Sequence, residues 1–137
     1  MTLKRSGTHE LIISGASDHT GSLDLRLYAV AADVRAKTEL GDRPVRVALG
    51  IGQAATVTFP SRGDRARLVL RLRDIDLDGY VNVRDPSGRL ALKDTAFFGS
   101  EGERDVPVHV SRNGSYVIHI RTNDISSGSL RLQVDSS

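Results

Sequence analysis

The sequence predicts an all-β fold, an antiparallel β-sandwich of jelly-roll type. Apolar and polar residues alternate with a period of two in eight separate runs, no helical period is present, and turn chemistry separates the runs at short intervals. Each run puts one face on a core and the other in water, the signature of antiparallel sheets. Many short strands at this spacing predict a sandwich or barrel, and above all a jelly roll.

Taken in order, Leu11 and Ile13 flank Ile12, and Leu23, Leu25 and Leu27 alternate with Asp24 and Arg26. Val45, Val47 and Leu49 follow, then Ala55, Val57 and Phe59, then Leu68, Leu70 and Leu72. Val106, Val108 and Val110 precede Tyr116, Ile118 and Ile120, and Leu130, Leu132 and Val134 close the chain. Segments 34–40, 79–84 and 90–94 add further predicted strands. Turns are predicted at Gly41-Asp42, Gly50-Ile51-Gly52 and Ser61-Arg62-Gly63-Asp64. Asp85-Pro86-Ser87-Gly88 reads as a type I turn, with Pro presetting φ. Asn113-Gly114 between two alternating runs predicts a hairpin.

At 137 residues the chain suits one domain that buries a core without staples, and its lack of cysteine excludes disulfides and thiolate metal sites. The net charge of +2, from 19 basic and 17 acidic residues, gives no ground for a nucleic-acid partner. No window approaches an apolar membrane span, so no membrane insertion is expected. Residues 1–5 lead into no apolar signal core, so an export signal would lie outside these residues. With three Tyr, three Phe and no Trp, the core must be largely aliphatic, and stacking platforms for bases or sugars are few.

The most specific feature is a self-match. Residues 6–30 resemble the end of the chain from Asn113 without a gap. Gly7 meets Gly114 and Gly21 meets Gly128, both at an offset of 107 (114 − 7 and 128 − 21). On that register Leu11 meets Ile118, Ile13 meets Ile120, Ser22-Leu23 meets Ser129-Leu130, and Leu25 meets Leu132. His9 meets Tyr116 and Arg5 meets Arg112. That period suits a whole domain repeated in tandem rather than a solenoid. The expected organisation is a closing hairpin of a preceding repeat in residues 1–30 and a complete sandwich repeat in 31–137. The extra hairpin either packs elsewhere on the sandwich or offers an edge for self-association.

The stretch from about Gln53 to Val134 resembles the bacterial pre-peptidase C-terminal domain family and its jelly-roll relatives. The residues that carry the likeness are Phe59 before Gly63-Asp64, the strand from Leu68 to Leu72, and Asp78-Gly79-Tyr80-Val81-Asn82-Val83-Arg84-Asp85-Pro86-Ser87-Gly88. Gly114-Ser115-Tyr116-Val117-Ile118-His119-Ile120 and Gly128-Ser129-Leu130-Arg131-Leu132 are similar to the family's closing strands. The chain departs from the family pattern at Asp78-Gly79-Tyr80 and at Leu132. The whole chain also resembles tandem repeats in large exported actinobacterial proteins. The resemblance implies an extracellular or cell-surface accessory module without catalytic residues, in some members calcium-linked or sugar-binding.

Asp74-Ile75-Asp76-Leu77-Asp78-Gly79 fits the opening of an EF-hand loop, with Asn82 at its ninth position and Asp85 at its twelfth. Such a set of hard oxygens suits calcium, so Asp74, Asp76, Asp78, Asn82 and Asp85 are the candidate metal ligands. The competing reading has Ile75 and Leu77 continue the alternation, with the aspartates on a solvated face. Carboxylates two residues apart on a strand are about 6.6 Å apart, too far for several to share one ion.

Phe97 and Phe98 are candidate ligand-binding residues, as adjacent aromatics in a stretch without alternation. His109 and His119 are expected on one face of the Asn113-Gly114 hairpin, with no third metal ligand visible. Ser17-Asp18-His19 sets triad residue types side by side, but a triad is assembled in space rather than along the chain. Arg67, Arg71 and Arg73 are expected to pair with nearby aspartates.

These readings converge on a non-catalytic structural or interaction module of a larger exported bacterial protein, whose partners are neighbouring domains. The alternative is a calcium-dependent carbohydrate-binding module that uses the aspartates and the Phe97-Phe98 loop, with a glycan as partner.

Overall fold

A computed structural model describes residues 3, 5–16, 20–62, 66–123 and 125–137. Among the described residues nine strands form two packed sheets. They are β1 (Val34–Lys37), β2 (Val45–Leu49), β3 (Ala54–Arg62), β4 (Ala66–Arg73), β5 (Gly79–Arg84), β6 (Leu90–Phe97), β7 (Arg104–Val110), β8 (Asn113–Thr122) and β9 (Gly128–Ser136). One sheet runs β1-β3-β8-β5-β6 and the other β2-β9-β4-β7. Leaving β1 aside, eight strands alternate between two four-stranded layers in the order of a jelly roll, which joins two Greek keys. β1 adds to β3 in parallel, pairing Val34 with Ala55 through Lys37 with Thr58. The other pairings are antiparallel.

The alternation in the sequence becomes the two faces of each layer. Val57, Phe59, Ile118, Ile120, Val81 and Val83 project inward from one sheet. Val47, Leu70, Leu72, Val108, Leu132 and Val134 meet them from the other. All are within 3% of complete burial, and the core is mostly aliphatic. At about 25 cal/mol per Å² of apolar surface removed from water, this interior is the main source of stability. Prolines fall where the ladder tolerates a missing N–H. Pro107 lies on β7, an edge strand, and Pro60 lies on β3 beyond the reach of β1.

From β2 onward, consecutive strands cross between the sheets at every step but one. That one is the β5–β6 hairpin, closed by Asp85-Pro86-Ser87-Gly88 as its turn chemistry predicts. The Asp85 N–H donates to the Arg89 carbonyl at 2.8 Å and the Gly88 N–H to the Asp85 carbonyl at 2.9 Å. The hairpin expected at Asn113-Gly114 is not formed. β7 pairs with β4 and β8 pairs with β3 and β5, so this turn carries the chain from one sheet to the other. β8 and β9 are likewise not paired with each other. Each lies inside a different sheet, β8 between β3 and β5 and β9 between β2 and β4.

The described residues of 5–16 and 20–32 carry no strand, although Leu11–Ile13 and Leu23–Leu27 have the alternation of strands. The interior positions that such a pattern seeks are filled by β8 and β9. Leu11, Ile13, Leu23, Leu25 and Leu27 are exposed, Leu27 at 83%. The segment joins the sandwich at residues 30–32, where the Gln53 side-chain amide donates to the Ala32 carbonyl at 2.6 Å.

Candidate functional site

The acidic segment 74–79 connects β4 to β5 and crosses from one sheet to the other. Asp74 takes a left-handed backbone, φ 49°, where the chain leaves β4. Ile75 and Leu77 then plug the end of the core, 4% and 2% exposed. The Ile75 N–H donates to the Gly102 carbonyl and the Asp76 N–H to the Ser129 carbonyl, each at 2.9 Å. Asp74 and Asp76 consequently point to solvent and Asp78 is half-buried.

Asp74, Asp78, Asn82 and Asp85 each have a partner of their own. Asp74 pairs with Arg131 at 3.3 Å, with both side chains exposed. Asp78 Oδ1 accepts from the Gly99 N–H at 2.8 Å, tying this crossing to the turn after β6. Asn82 lies on β5 beside a β-bulge, and its Oδ1 accepts from the Asp94 N–H at 2.8 Å. This bond gives the Asp94 N–H an acceptor where the bulge breaks the ladder. Asp85 Oδ1 accepts from the Ser87 N–H, the Ser87 hydroxyl and the Arg89 N–H, at 2.8, 2.6 and 3.0 Å. Its Oδ2 pairs with Arg112 at 3.3 Å. The Ser87 hydroxyl bond, followed by the backbone donors and Arg112, holds the Asp85 carboxyl below the usual carboxylate range despite an opposing desolvation effect. Among the described residues no three His, Asp or Glu side chains come together as a set that could hold an ion.

The two adjacent aromatics have opposite surroundings. Phe97 ends β6 fully buried in the core, whereas Phe98 is 45% exposed. Phe98 leads into a short 3-10 turn, Gly99–Glu101, and its N–H donates to Glu101 Oε2 at 3.2 Å. They do not form a joint contact patch. His109 and His119 also separate. β7 and β8 belong to different sheets, so the two imidazoles face opposite outer surfaces. Ser17-Asp18-His19 lies outside the described residues. The arginine expectation holds for Arg71, which pairs with Asp105 and Asp135, and for Arg73, which pairs with Glu103 and Asp105.

One polar grouping is not legible from local sequence. β5–β8 pairing sets Asn82 opposite His119 and Tyr80 opposite Arg121 on the outer face of the five-stranded sheet. Asn82, His119 and Arg121, with Arg84, Leu90, Asp94 and Val117, line a shallow depression of about 440 Å³. Desolvation lowers the pKa of His119, reinforced by Arg121 and Arg84 and opposed by Asp33. The outward phase of His119 is readable in the sequence, but its neighbours come from a strand some 37 residues earlier (119 − 82).

No family model matches the chain, and no curated protein matches it. Solved structures do. The pre-peptidase C-terminal domain of collagenase from Bacillus anthracis superposes with a TM-score of 0.55 at 13% identity, covering 80% of this chain and 99% of that one. The periplasmic inhibitor of g-type lysozyme from Aeromonas hydrophila gives 0.47 at 10% identity, covering 74% and 98%. Its Salmonella Typhimurium counterpart gives 0.44 at 13% identity, covering 77% and 99%. The chain has the fold of a pre-peptidase C-terminal domain, as the sequence resemblance implies.

Proposed function

We propose that the chain is a non-catalytic β-sandwich module of a larger exported multidomain bacterial protein, acting as a spacer or domain-contact unit within a tandem array. The observation that carries this reading is the ungapped self-match. Its offset of 107 is long enough to hold the nine described strands, which run from Val34 to Ser136. A period that accommodates one folded unit is what a repeated domain requires.

The fold supports the same reading. The Bacillus anthracis domain is by name one domain of a collagenase, so a sandwich of this shape serves there as part of a longer protein. An extracellular or cell-surface location belongs to the proposal. Function in such a module is mechanical: two packed layers resist deformation, and a short tether fixes where the next unit begins. Val30 lies against Gly52 and Ala32 is held by Gln53, so the chain entering β1 is anchored on the turn between β2 and β3.

The test is a pair of melts of the intact chain, with excess calcium and with chelator, together with a glycan array. A ligand bound only by the folded state raises the midpoint by mass action. A spacer gives superimposable melts and an empty array. A calcium-dependent rise accompanied by glycan binding would replace it with the carbohydrate-binding reading.

A further inference from the structure

The described residues of 5–30 have the apolar pattern of two strands but carry no strand here. The six positions of β8 and β9 that point into the core are Tyr116, Ile118, Ile120, Leu130, Leu132 and Val134, none more than 1% exposed. Their counterparts 107 residues earlier are His9, Leu11, Ile13, Leu23, Leu25 and Leu27. Five of the six are aliphatic, and all five are exposed. Of the four outward positions between them, Glu10, Asp24 and Arg26 are charged, as a solvent face requires, and Ile12 is apolar.

The match extends to local conformation. Gly7 and Gly114 both have positive φ, 117° and 131°. His9 Nε2 donates to the Arg5 carbonyl at 2.6 Å, and the Tyr116 hydroxyl accepts from the Arg112 N–H at 3.1 Å. In each copy the side chain four residues after an arginine bonds back to that arginine's backbone, to its carbonyl in the first and its N–H in the second. The glycines differ in two respects, the first being that Gly128 has positive φ, 151°, and its counterpart Gly21 does not. A Cβ on Gly114 would meet Pro86 and one on Gly128 would meet the Asp76 carbonyl, but Gly7 and Gly21 have nothing within 4 Å. The first copy keeps glycine where the second needs it, without the neighbours that make it necessary.

We infer that residues 5–30 supply the two interior strands of a second sandwich of this fold, lying N-terminal in the same polypeptide. They enter one sheet between the counterparts of β3 and β5 and the other between those of β2 and β4. The segment is thus not a hairpin, because its two strands go to opposite layers. The occupant is fixed by register: the pattern of apolar residues and glycines matches the slot that β8 and β9 fill here. Ala29 corresponds to Ser136, the last residue of β9, so only residues 30–33 separate one unit from the β1 of the next. Adjacent units would then be joined by a four-residue connector anchored by Gln53. The inference rests on the array reading above and adds to it the identity of the inserting strands.

The test is a graft in the full chain, with residues 113–136 replaced by a second copy of residues 6–29. Far-UV circular dichroism and thermal unfolding report whether the sandwich forms. The graft is expected to fold with a cooperative transition, and a Gly21→Val change within the grafted copy is expected to abolish it. A graft carrying His9→Tyr restores the one core position that is not apolar. Failure of both the plain graft and the His9→Tyr graft to fold would overturn the inference. So would a Gly21→Val graft that melts like the unaltered graft. Neither failure touches the spacer reading, which the calcium and glycan measurements on the unaltered chain decide.

Discussion

Tyr116 stacks on Phe59 across the β3–β8 ladder, with ring centroids 5.4 Å apart and planes inclined by 20°. Both rings are 1% exposed, and the Tyr116 hydroxyl turns back to accept from the Ser111 and Arg112 N–H groups at 3.2 and 3.1 Å. One residue thus fills the core and satisfies the backbone where the chain changes sheets. Tyr116→Phe should keep the stacking but strand two donors, costing about 1–3 kcal/mol. Tyr116→Ala should cost about 3–5 kcal/mol, since it also opens a cavity. Urea unfolding of both variants checks the order, and a Phe variant as stable as wild type would remove the hydroxyl's role.

The twin glycines make a direct contrast. Gly128 has φ 151° and its missing Cβ would collide with the Asp76 carbonyl, whereas Gly21 lies in open space. Gly128→Ala should destabilise by about 3 kcal/mol through overpacking and strain. Gly21→Ala should leave the denaturation midpoint of the same chain unchanged. Equal effects at the two sites would contradict the placement of β9.

Phe97 and Phe98 are separated by the same kind of comparison. Phe97→Ala removes a fully buried ring and should cost about 3–5 kcal/mol. Phe98→Ala should change stability by less than about 0.5 kcal/mol, as for other surface changes. Any binding attributed to this loop should therefore be tested at Phe98, where fold and contact can be told apart.

Asp85 sets a pH dependence. Its carboxyl is held below its ordinary value of 3.8, first by the Ser87 hydroxyl and then by backbone donors and Arg112. A lowered folded-state value means the unfolded chain takes up the proton first. The stabilising contribution is therefore complete above the ordinary carboxylate range and lost as pH falls through the lowered value. Asp85→Asn should lower the midpoint at neutral pH, and its deficit should shrink on acidification below about pH 4. Melts of both proteins across that range check it, and a deficit constant with pH would exclude the charge.

Much of the fold is written in the alternation. Leu68, Leu70 and Leu72 face the core as their phase requires, and Asp85-Pro86-Ser87-Gly88 closes the hairpin its residues encode. Alternation specifies which face a residue takes but not which strand lies beside it. Asn113-Gly114 therefore looks like a hairpin turn while carrying the chain across to the other layer, and His109 and His119 part company with it. The acidic segment shows the same division. The inward phase of Ile75 and Leu77 is legible, yet the bond from Asp94 to Asn82 depends on a bulge that exists only once β5 meets β6. Leu11–Ile13 and Leu23–Leu27 have the pattern of strands but lack the interior place that would make them so.

The interior positions of β8 and β9 also bear on timing. These strands are the last of the sandwich in chain order, and each has a neighbour on both sides. During synthesis, the strands from β1 to β7 complete neither layer until β8 and β9 emerge. Its ladders join strands far apart in sequence, and such non-local pairing is slow to form. The unit is therefore delivered almost entirely before it can close, and the polypeptide remains threadable until its final strands are free.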